Sequence, residues 1–274
     1  MTLARAAAVL MCAACTALLA FLPAKAEKRV LIRRDTERTV SSLAYPQFGH
    51  ARLDAALAFF ASQELERRTQ DIEREFDQTA LGRGKLASLA GGYTVFRPSP
   101  QAVSVLFELH ATSPRWSAPR RYFSTRSYRL PAGEELTLAG LFQNLPDALE
   151  ILARKCSPKL LIQIMEYDQQ ERIETAWFLR SRFIIPGNPM PDGTDIAEFA
   201  KHGGDAPAMR LLESVVRGTR PDEENFKHFV LTAKGVRIQF DPLQIGGSEA
   251  GAPYVDLSLQ ELRQAKPHMH LWGK

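Results

Sequence analysis

The chain has 274 residues, with 35 lysines and arginines against 31 aspartates and glutamates. This length is enough to build a sizeable hydrophobic core in one large domain or two small ones. The near balance of charge excludes a strongly basic nucleic-acid binder, and no stretch has the basic and aromatic pattern of an RNA-recognition or helix-turn-helix module.

The first 26 residues have the order of a secretory signal peptide. Arg5 precedes an uncharged run over 6–21, and the small-x-small triplet of residues 24–26 follows. This order predicts cleavage after Ala26 and a periplasmic or secreted protein. The apolar run is shorter than the roughly 20 residues of a spanning helix, so we expect no membrane anchor after cleavage.

Cleavage changes the charge and the cysteine content of the chain. It removes two basic residues and no acidic one, which leaves 33 basic against 31 acidic side chains. Cys156 is then the one remaining cysteine, so an internal disulfide is excluded and the core must hold the fold together. Its position on the apolar side of a helical pattern predicts a buried, unreactive thiol.

In chain order, the mature sequence starts with two short strands and a long helix. The strands are predicted at 29–33 and 39–45, and Pro46 is expected to end the second. His50 to Asp77 has the apolar spacing of an amphipathic helix. Its charged residues are spaced for pairs on a solvated side, as Glu64 with Arg68 and Asp71 with Arg74.

A sheet pattern follows the helix. Gly91 and Gly92 are expected to interrupt the chain before the period of the apolar residues changes to two. Alternation over 103–109 and again over 122–130 predicts two strands. The segment 113–121 between them is polar and contains prolines, so it is predicted to be a hairpin connection.

Helices and a long loop are predicted in the middle of the chain. Asn144 is a good N-cap, but Pro158 is unfavourable inside a helix, so two helices are expected to meet there. The segment 185–204 is rich in glycine, proline and polar residues and is predicted to be a long loop. A short helix is predicted over 206–217.

The carboxy-terminal part is predicted to return to strands. Three of them are expected at 226–232, 236–240 and 254–257, and the capping box of residues 258–261 is expected to open a last helix that stops before Pro267.

The order of these elements resembles a known family. The resemblance rests on Tyr45-Pro46 before a long helix, "LTLAGLF" at 136–142, and "EENFKHFVLTAKGVRIQFDPLQI" at 223–245 with the later Gly251. They resemble the extracytoplasmic domain of the RsiV anti-sigma factor, over about residues 38–266. This is the domain-of-unknown-function 3298 type, preceded by a 4163-like part, and it also occurs beside peptidoglycan deacetylases.

The resemblance implies an α+β fold of antiparallel sheets with packed helices. It divides the mature chain into an N-terminal part, 27–131, and an RsiV-like part, 132–274, expected to form one compact unit. It also implies no chemistry of its own and, as in RsiV, recognition of lysozyme. The chain departs from the family at residues 113–117 and in its late loop, and loops are where binding specificity usually lies, so the ligand stays open.

The patterns that would carry catalysis or a cofactor are incomplete. Gly251 is followed by a strand pattern and not by the Lys-Ser or Lys-Thr and helix of a phosphate loop. Ser248 lacks the spacing of a hydrolase elbow, so residues 246–251 are predicted to be a connection. His268 and His270 are too few for a zinc site and are expected in a frayed terminus. We therefore expect no catalytic residues, metal or cofactor.

Two groups of residues are candidates for binding. Trp116 with Arg115, Arg120 and Arg121 could stack on a sugar ring and bind its carboxylates or phosphates; alternatively, the indole folds back onto the sheet and the arginines lie solvated at its edge. The acidic run 222–224, and the late loop, could dock a basic partner. The second group consists of Asp222, Glu223, Glu224, Ser248 and Glu249.

The hypothesis favoured by the sequence is a non-catalytic exported binding protein that recognises lysozyme or a cell-wall glycan. The alternative is a cell-envelope hydrolase that acts on glycan or ester bonds, with carboxylates in an unrecognised arrangement. A third hypothesis is a sensor or structural partner that binds another envelope protein through residues 185–204.

Overall fold

A computed structural model describes residues 27–77, 87–167, 207–245 and 253–274. It is an α+β protein with a large sheet, a small sheet and helices packed against both, as predicted. The strands are β1 (Lys28–Asp35), β2 (Thr39–Gln47), β3 (Ala87–Ser99), β4 (Ala102–Thr112), β5 (Arg120–Arg129), β6 (Glu134–Glu135), β7 (Phe229–Thr232), β8 (Gly235–Gln239) and β9 (Tyr254–Ser258).

The helices lie mostly where the apolar spacing predicts them. They are α1 (Ala51–Asp77), α2 (Leu138–Leu141), α3 (Leu145–Tyr167), α4 (Pro207–Gly218) and α5 (Pro242–Ile245), with 3₁₀ helices at Glu223–Phe226, Arg263–Ala265 and Met269–Trp272. Asn144 caps α3 as predicted, since its Oδ1 accepts from the backbone N–H of Asp147 at 3.4 Å. The predicted loop 185–204 lies outside the described residues.

The large sheet has the strand order β1-β2-β3-β4-β5-β6. Its neighbours are antiparallel except β2 and β3, which are parallel because α1 crosses over between them. α1 packs on one face of this sheet. Its buried Leu53, Leu57 and Ile72 contact a row of buried residues that includes Val105 and Phe107 of β4.

The small sheet, β7-β8-β9, lies against the other face of the large sheet. Two buried serines of the large sheet reach the outer edge of β7. Ser104 Oγ accepts from the backbone N–H of Leu231 at 2.9 Å, and Ser127 Oγ lies 2.7 Å from Ser104 Oγ. The Ser104 hydroxyl satisfies a backbone donor that a neighbouring strand would otherwise bind.

Two predicted interruptions are wrong. Pro46 lies inside β2, where it is paired with Arg29. The pairing of β2 with β3 has already ended at Leu43, so the missing N–H of the proline breaks no bond on that side. Gly91 and Gly92 lie inside β3. A Cβ on Gly91 would lie 2.7 Å from Leu43 Cδ1, so this glycine permits a close approach of core side chains.

The predicted break at Pro158 is also wrong, because α3 runs through it as one helix. Ser157 Oγ donates to the carbonyl of Ala153 and lies 2.6 Å from Thr219 Oγ1, which ties the helix to the end of α4. Cys156 beside it is fully buried, and burial raises the pKa of its thiol well above the ordinary value.

The last residues are ordered against the small sheet and are not the frayed terminus that was expected. Leu271 and Trp272 are buried, and Trp272 Nε1 donates to the carbonyl of Thr232 at 3.0 Å. The capping box is confirmed, because Ser258 N donates to Glu261 Oε2 at 2.8 Å and Glu261 N donates to Ser258 Oγ at 3.2 Å. It caps a turn that precedes a short 3₁₀ helix, where an α-helix was predicted.

Candidate functional site

The structure assembles Trp116 with residues of α1 at the tip of the β4–β5 hairpin. Trp116 Nε1 donates to Glu75 Oε1 at 3.3 Å, and the two terminal nitrogens of Arg120 donate to the same carboxylate at 2.5 and 2.9 Å. The indole stacks on Phe76 with ring centroids 5.9 Å apart, and the Arg120 guanidinium lies 4.2 Å from the indole centroid. Arg115 lies 5.9 Å from the ring centroid of Phe76.

The tryptophan folds back, as in the alternative, but onto helix α1 and not onto the sheet. The hydrogen bonds from Arg120, its charge and the indole N–H together hold the pKa of Glu75 below its ordinary value. The indole and Arg120 therefore already have partners. Arg121 is not part of this cluster, since alternation along β5 places it on the opposite face, where it binds Glu108.

The acidic run 222–224 forms the start of a 3₁₀ helix. Asp222 is its N-cap, and its Oδ1 accepts from the backbone N–H of Glu224 at 3.0 Å. The carboxylate of Glu224 pairs with Lys227 at 2.9 Å. Two of the three acids thus stabilise their own turn, and within the described residues Glu223 forms no ion pair.

A small cavity of about 130 Å³ lies beside this turn, between β5, β6 and the start of β7. Most of its charged groups are already paired. Arg126 binds Glu135 at 3.1 Å and stacks on Phe60 of α1. Glu223 and Lys227 also line the cavity. The acids and the Trp116 cluster do not meet in one site, and Ser248 and Glu249 lie outside the described residues, so the structure does not place them.

A buried charged cluster was missed by the sequence interpretation. Glu64, predicted on a solvated surface, has a side chain only 3% exposed. It accepts from Arg68 Nε at 2.9 Å and from Arg67 Nη2 at 2.6 Å, and Arg68 lies over the ring of Tyr122. Burial raises the pKa of Glu64, but the two arginines outweigh this effect and the net pKa lies below the ordinary value.

His228 lies close to this cluster, with Nε2 3.9 Å from Asp241 Oδ2 and a side chain 12% exposed. Burial lowers its pKa to about 4 despite the nearby Asp241 carboxylate. The imidazole is therefore neutral at pH 7. Its burial gives His228 a structural role. The spacing of Glu64 and Arg68 on α1 did not indicate that this pair is buried.

The face of the large sheet opposite α1 is exposed beyond the area that the small sheet covers. Pairing aligns one residue from each of five strands on it: Arg33 of β1, Ser42 of β2, Ala90 of β3, His110 of β4 and Arg121 of β5. Arg33, Ala90, His110 and Arg121 are exposed and Ser42 is half-buried. We call this row and its neighbours Leu31, Val40, Gly92, Thr94 and Glu108 the open sheet face.

Among the described residues, no three histidine, cysteine, aspartate or glutamate side chains come together as metal ligands. Within the same ranges, no helix is both long and apolar enough to cross a bilayer.

Comparison with known proteins gives the fold and no more. No protein-family model matches the chain, and no curated protein sequence matches it. A crystal structure of a DUF3298 family protein from Pseudomonas aeruginosa is similar, with a TM-score of 0.50 and 12% identity over 90% of this chain and 95% of that one. A DUF3298 member from Bacteroides fragilis has a TM-score of 0.40 and 10% identity, over 88% and 93%.

The likeness to the Pseudomonas protein supports a DUF3298-type fold for this chain. At 12% identity it says nothing about activity or ligand. The RsiV-like and 4163-like parts of the sequence interpretation stay predictions.

Proposed function

We propose that the mature chain is an exported, non-catalytic protein that binds a macromolecule of the bacterial cell envelope. The signal-like residues 1–26 support the periplasm or the outside of the cell as its location. The observation that carries the proposal is the open sheet face, on which five strands present charged and small polar side chains to solvent.

The environment of the titratable groups also favours recognition over catalysis. Glu64 and Glu75 are held by arginines, and the thiol of Cys156 is buried with a raised pKa. A nucleophile needs a lowered pKa or an adjacent base, and a general acid or base needs access to the substrate. These groups stabilise the fold where they lie.

Of the two ligands considered, a cell-wall glycan is favoured over lysozyme. Lysozymes are usually basic, and a mature chain with two excess positive charges gives them no long-range attraction. The acidic run would have to dock such a partner locally, yet Asp222 and Glu224 are engaged in their own turn. Peptidoglycan carries free carboxylates on the peptides attached to its glycan strands, and exposed arginines can bind them.

The proposal is tested with purified residues 27–274. The protein is sedimented with insoluble peptidoglycan over a range of concentrations and is passed over immobilised lysozyme in parallel. We expect saturable co-sedimentation with peptidoglycan. Retention on lysozyme alone would move the proposal to a protein ligand, and retention on neither material would overturn it.

A further inference from the structure

The row across the open sheet face has a cation at each end and small side chains between them. Neighbouring strands lie about 4.8 Å apart, so Arg33 on β1 and Arg121 on β5 are separated by about 19 Å across four strand gaps. Ser42 and Ala90 form the floor between them, and His110 stands beside Arg121. The row is thus a shallow trough that crosses the strands.

The charges of this trough are predominantly positive. Arg33 forms no ion pair within the described ranges; on the same side of β1, Arg29 lies four residues before it and Asp35 two residues after it. At the other end, one carboxylate, Glu108, serves both Arg121 and His110; its Oε1 lies 3.0 Å from Arg121 Nε and from His110 Nε2. A linear anion therefore finds an unneutralised arginine at one end and a partly neutralised one at the other.

Gly92 leaves open space over the neighbouring part of the floor. A Cβ added there would meet no heavy atom within 4 Å, whereas a Cβ on Gly91, which faces the core, would meet three within 3.0 Å. The two adjacent glycines thus have different surroundings. Of the two glycines, only Gly92 has open space above it that a ligand can occupy.

The composition of the face indicates what kind of chain it fits. Protein interfaces are centred on aromatic and large apolar side chains, but here the large exposed apolar residues are Leu31 and Val40, on the β1–β2 margin. Hydroxyls of Ser88, Thr94 and Thr112 on the same face are exposed and suit a hydrated, hydroxyl-rich chain. Without an aromatic platform for sugar stacking, the charges must supply much of the affinity.

We propose that the open sheet face binds a linear polysaccharide that carries carboxylates, with the chain lying across the strands between Arg33 and Arg121. This proposal rests on the proposed function and adds to it the surface and the chemical class of the ligand. Charge-assisted hydrogen bonds from the guanidinium groups hold the carboxylates. The competing account is that this face binds no ligand and is only solvated, as one face of an antiparallel sheet often is.

The test compares two soluble polymers with one backbone, carboxymethyl cellulose and neutral hydroxyethyl cellulose. Binding of residues 27–274 is measured by microscale thermophoresis or retention in affinity gel electrophoresis. We expect binding to the carboxylated polymer alone, and weaker binding as salt rises, because the contacts are at the surface. Equal binding to both polymers, or to neither, would contradict the proposal.

Variants locate the site. Arg33→Glu is expected to weaken binding about tenfold, which is the loss of one charge-assisted contact with repulsion in its place. The matched control is Arg52→Glu, an exposed arginine on α1 behind the sheet, which should bind as the unchanged protein does. Equal weakening by both variants would show a mere effect of net charge and would overturn the proposal.

A second pair of variants tests the trough without changing charge. Gly92→Ile is expected to abolish binding by filling the open space, with no fall in Tm because its Cβ meets nothing. Gly92→Ala is expected to keep binding. If peptidoglycan co-sedimentation survives Arg33→Glu and Gly92→Ile unchanged, the assigned surface is wrong while the proposed function stands. If the unchanged protein binds no envelope material, both fail.

Discussion

At the scale of single residues, spacing predicts pairs but not their burial. Glu64 and Arg68 lie four apart on α1, and that spacing is the same on a solvated helix face and on a buried one. Arg68 lies over the ring of Tyr122, which comes from β5, far along the chain. Alternation likewise separates Arg120 from Arg121, which adjacent sequence positions had grouped in one site.

Glu64→Gln is expected to lower the free energy of unfolding by about 3 kcal/mol, because it leaves the largely buried guanidinium of Arg68 without its carboxylate partner. The measurement is urea denaturation at pH 7. Glu66→Gln is the control, since Glu66 is 45% exposed and pairs with Arg34 on the surface. It should cost less than about 1 kcal/mol. Equal effects of the two substitutions would contradict the burial of Glu64.

The same substitution has a pH signature. The pKa of Glu64 in the folded protein lies below its ordinary value of 4.5. Its ion pairs therefore contribute fully above that ordinary value and are lost as the pH falls through the folded pKa. The difference in stability between the unchanged protein and Glu64→Gln should shrink in that acidic range. A difference that stays constant down to pH 3 would argue against the paired carboxylate.

At the scale of elements, the sequence predicts most helices and strands but not how their ends and edges are satisfied. The apolar periods of α1 and β4 are strong, so their positions follow from sequence. Pro158 and the glycines of β3 were misread, because their cost depends on neighbours. Gly91 fits where Leu43 and Leu109 approach, and Pro158 stays in a helix that tertiary packing holds on both sides.

The attachment of β7 to the large sheet gives a prediction at this scale. Ser104→Ala removes the acceptor of the buried Leu231 N–H and the partner of the Ser127 hydroxyl. A buried donor without an acceptor costs on the order of 1–3 kcal/mol, so we expect a loss of about 2 kcal/mol and faster amide exchange at Leu231. Ser88→Ala, on the exposed face, should cost less than about 0.5 kcal/mol. An unchanged exchange rate at Leu231 would contradict this attachment.

At the scale of the whole molecule, one sheet separates two hydrophobic clusters. α1 and the large sheet enclose the first, and α3, α4 and the small sheet enclose the second. The small sheet covers only part of the second face of the large sheet, and the uncovered part is the open sheet face. Sequence patterns predicted the fold class, but they could not predict this face, because it is defined by the register of five strands.

The candidate site was predicted less well than the fold. The sequence singled out Trp116 because exposed indoles bind sugars, yet the structure gives its N–H and ring partners on α1. Arg33 and Gly92, which carry the proposal, have no motif around them. Their placement on one sheet face with His110 and Arg121 is a property of strand pairing across about 90 residues of chain, from 33 to 121.

The central claim is that this protein binds envelope glycan without cleaving it. The most direct test incubates residues 27–274 with insoluble peptidoglycan and follows, over hours, both the bound protein and the soluble reducing ends or acetate. We predict a bound fraction that reaches a plateau while no product accumulates beyond the protein-free control. Product that grows linearly with time and exceeds the molar amount of protein would contradict the claim.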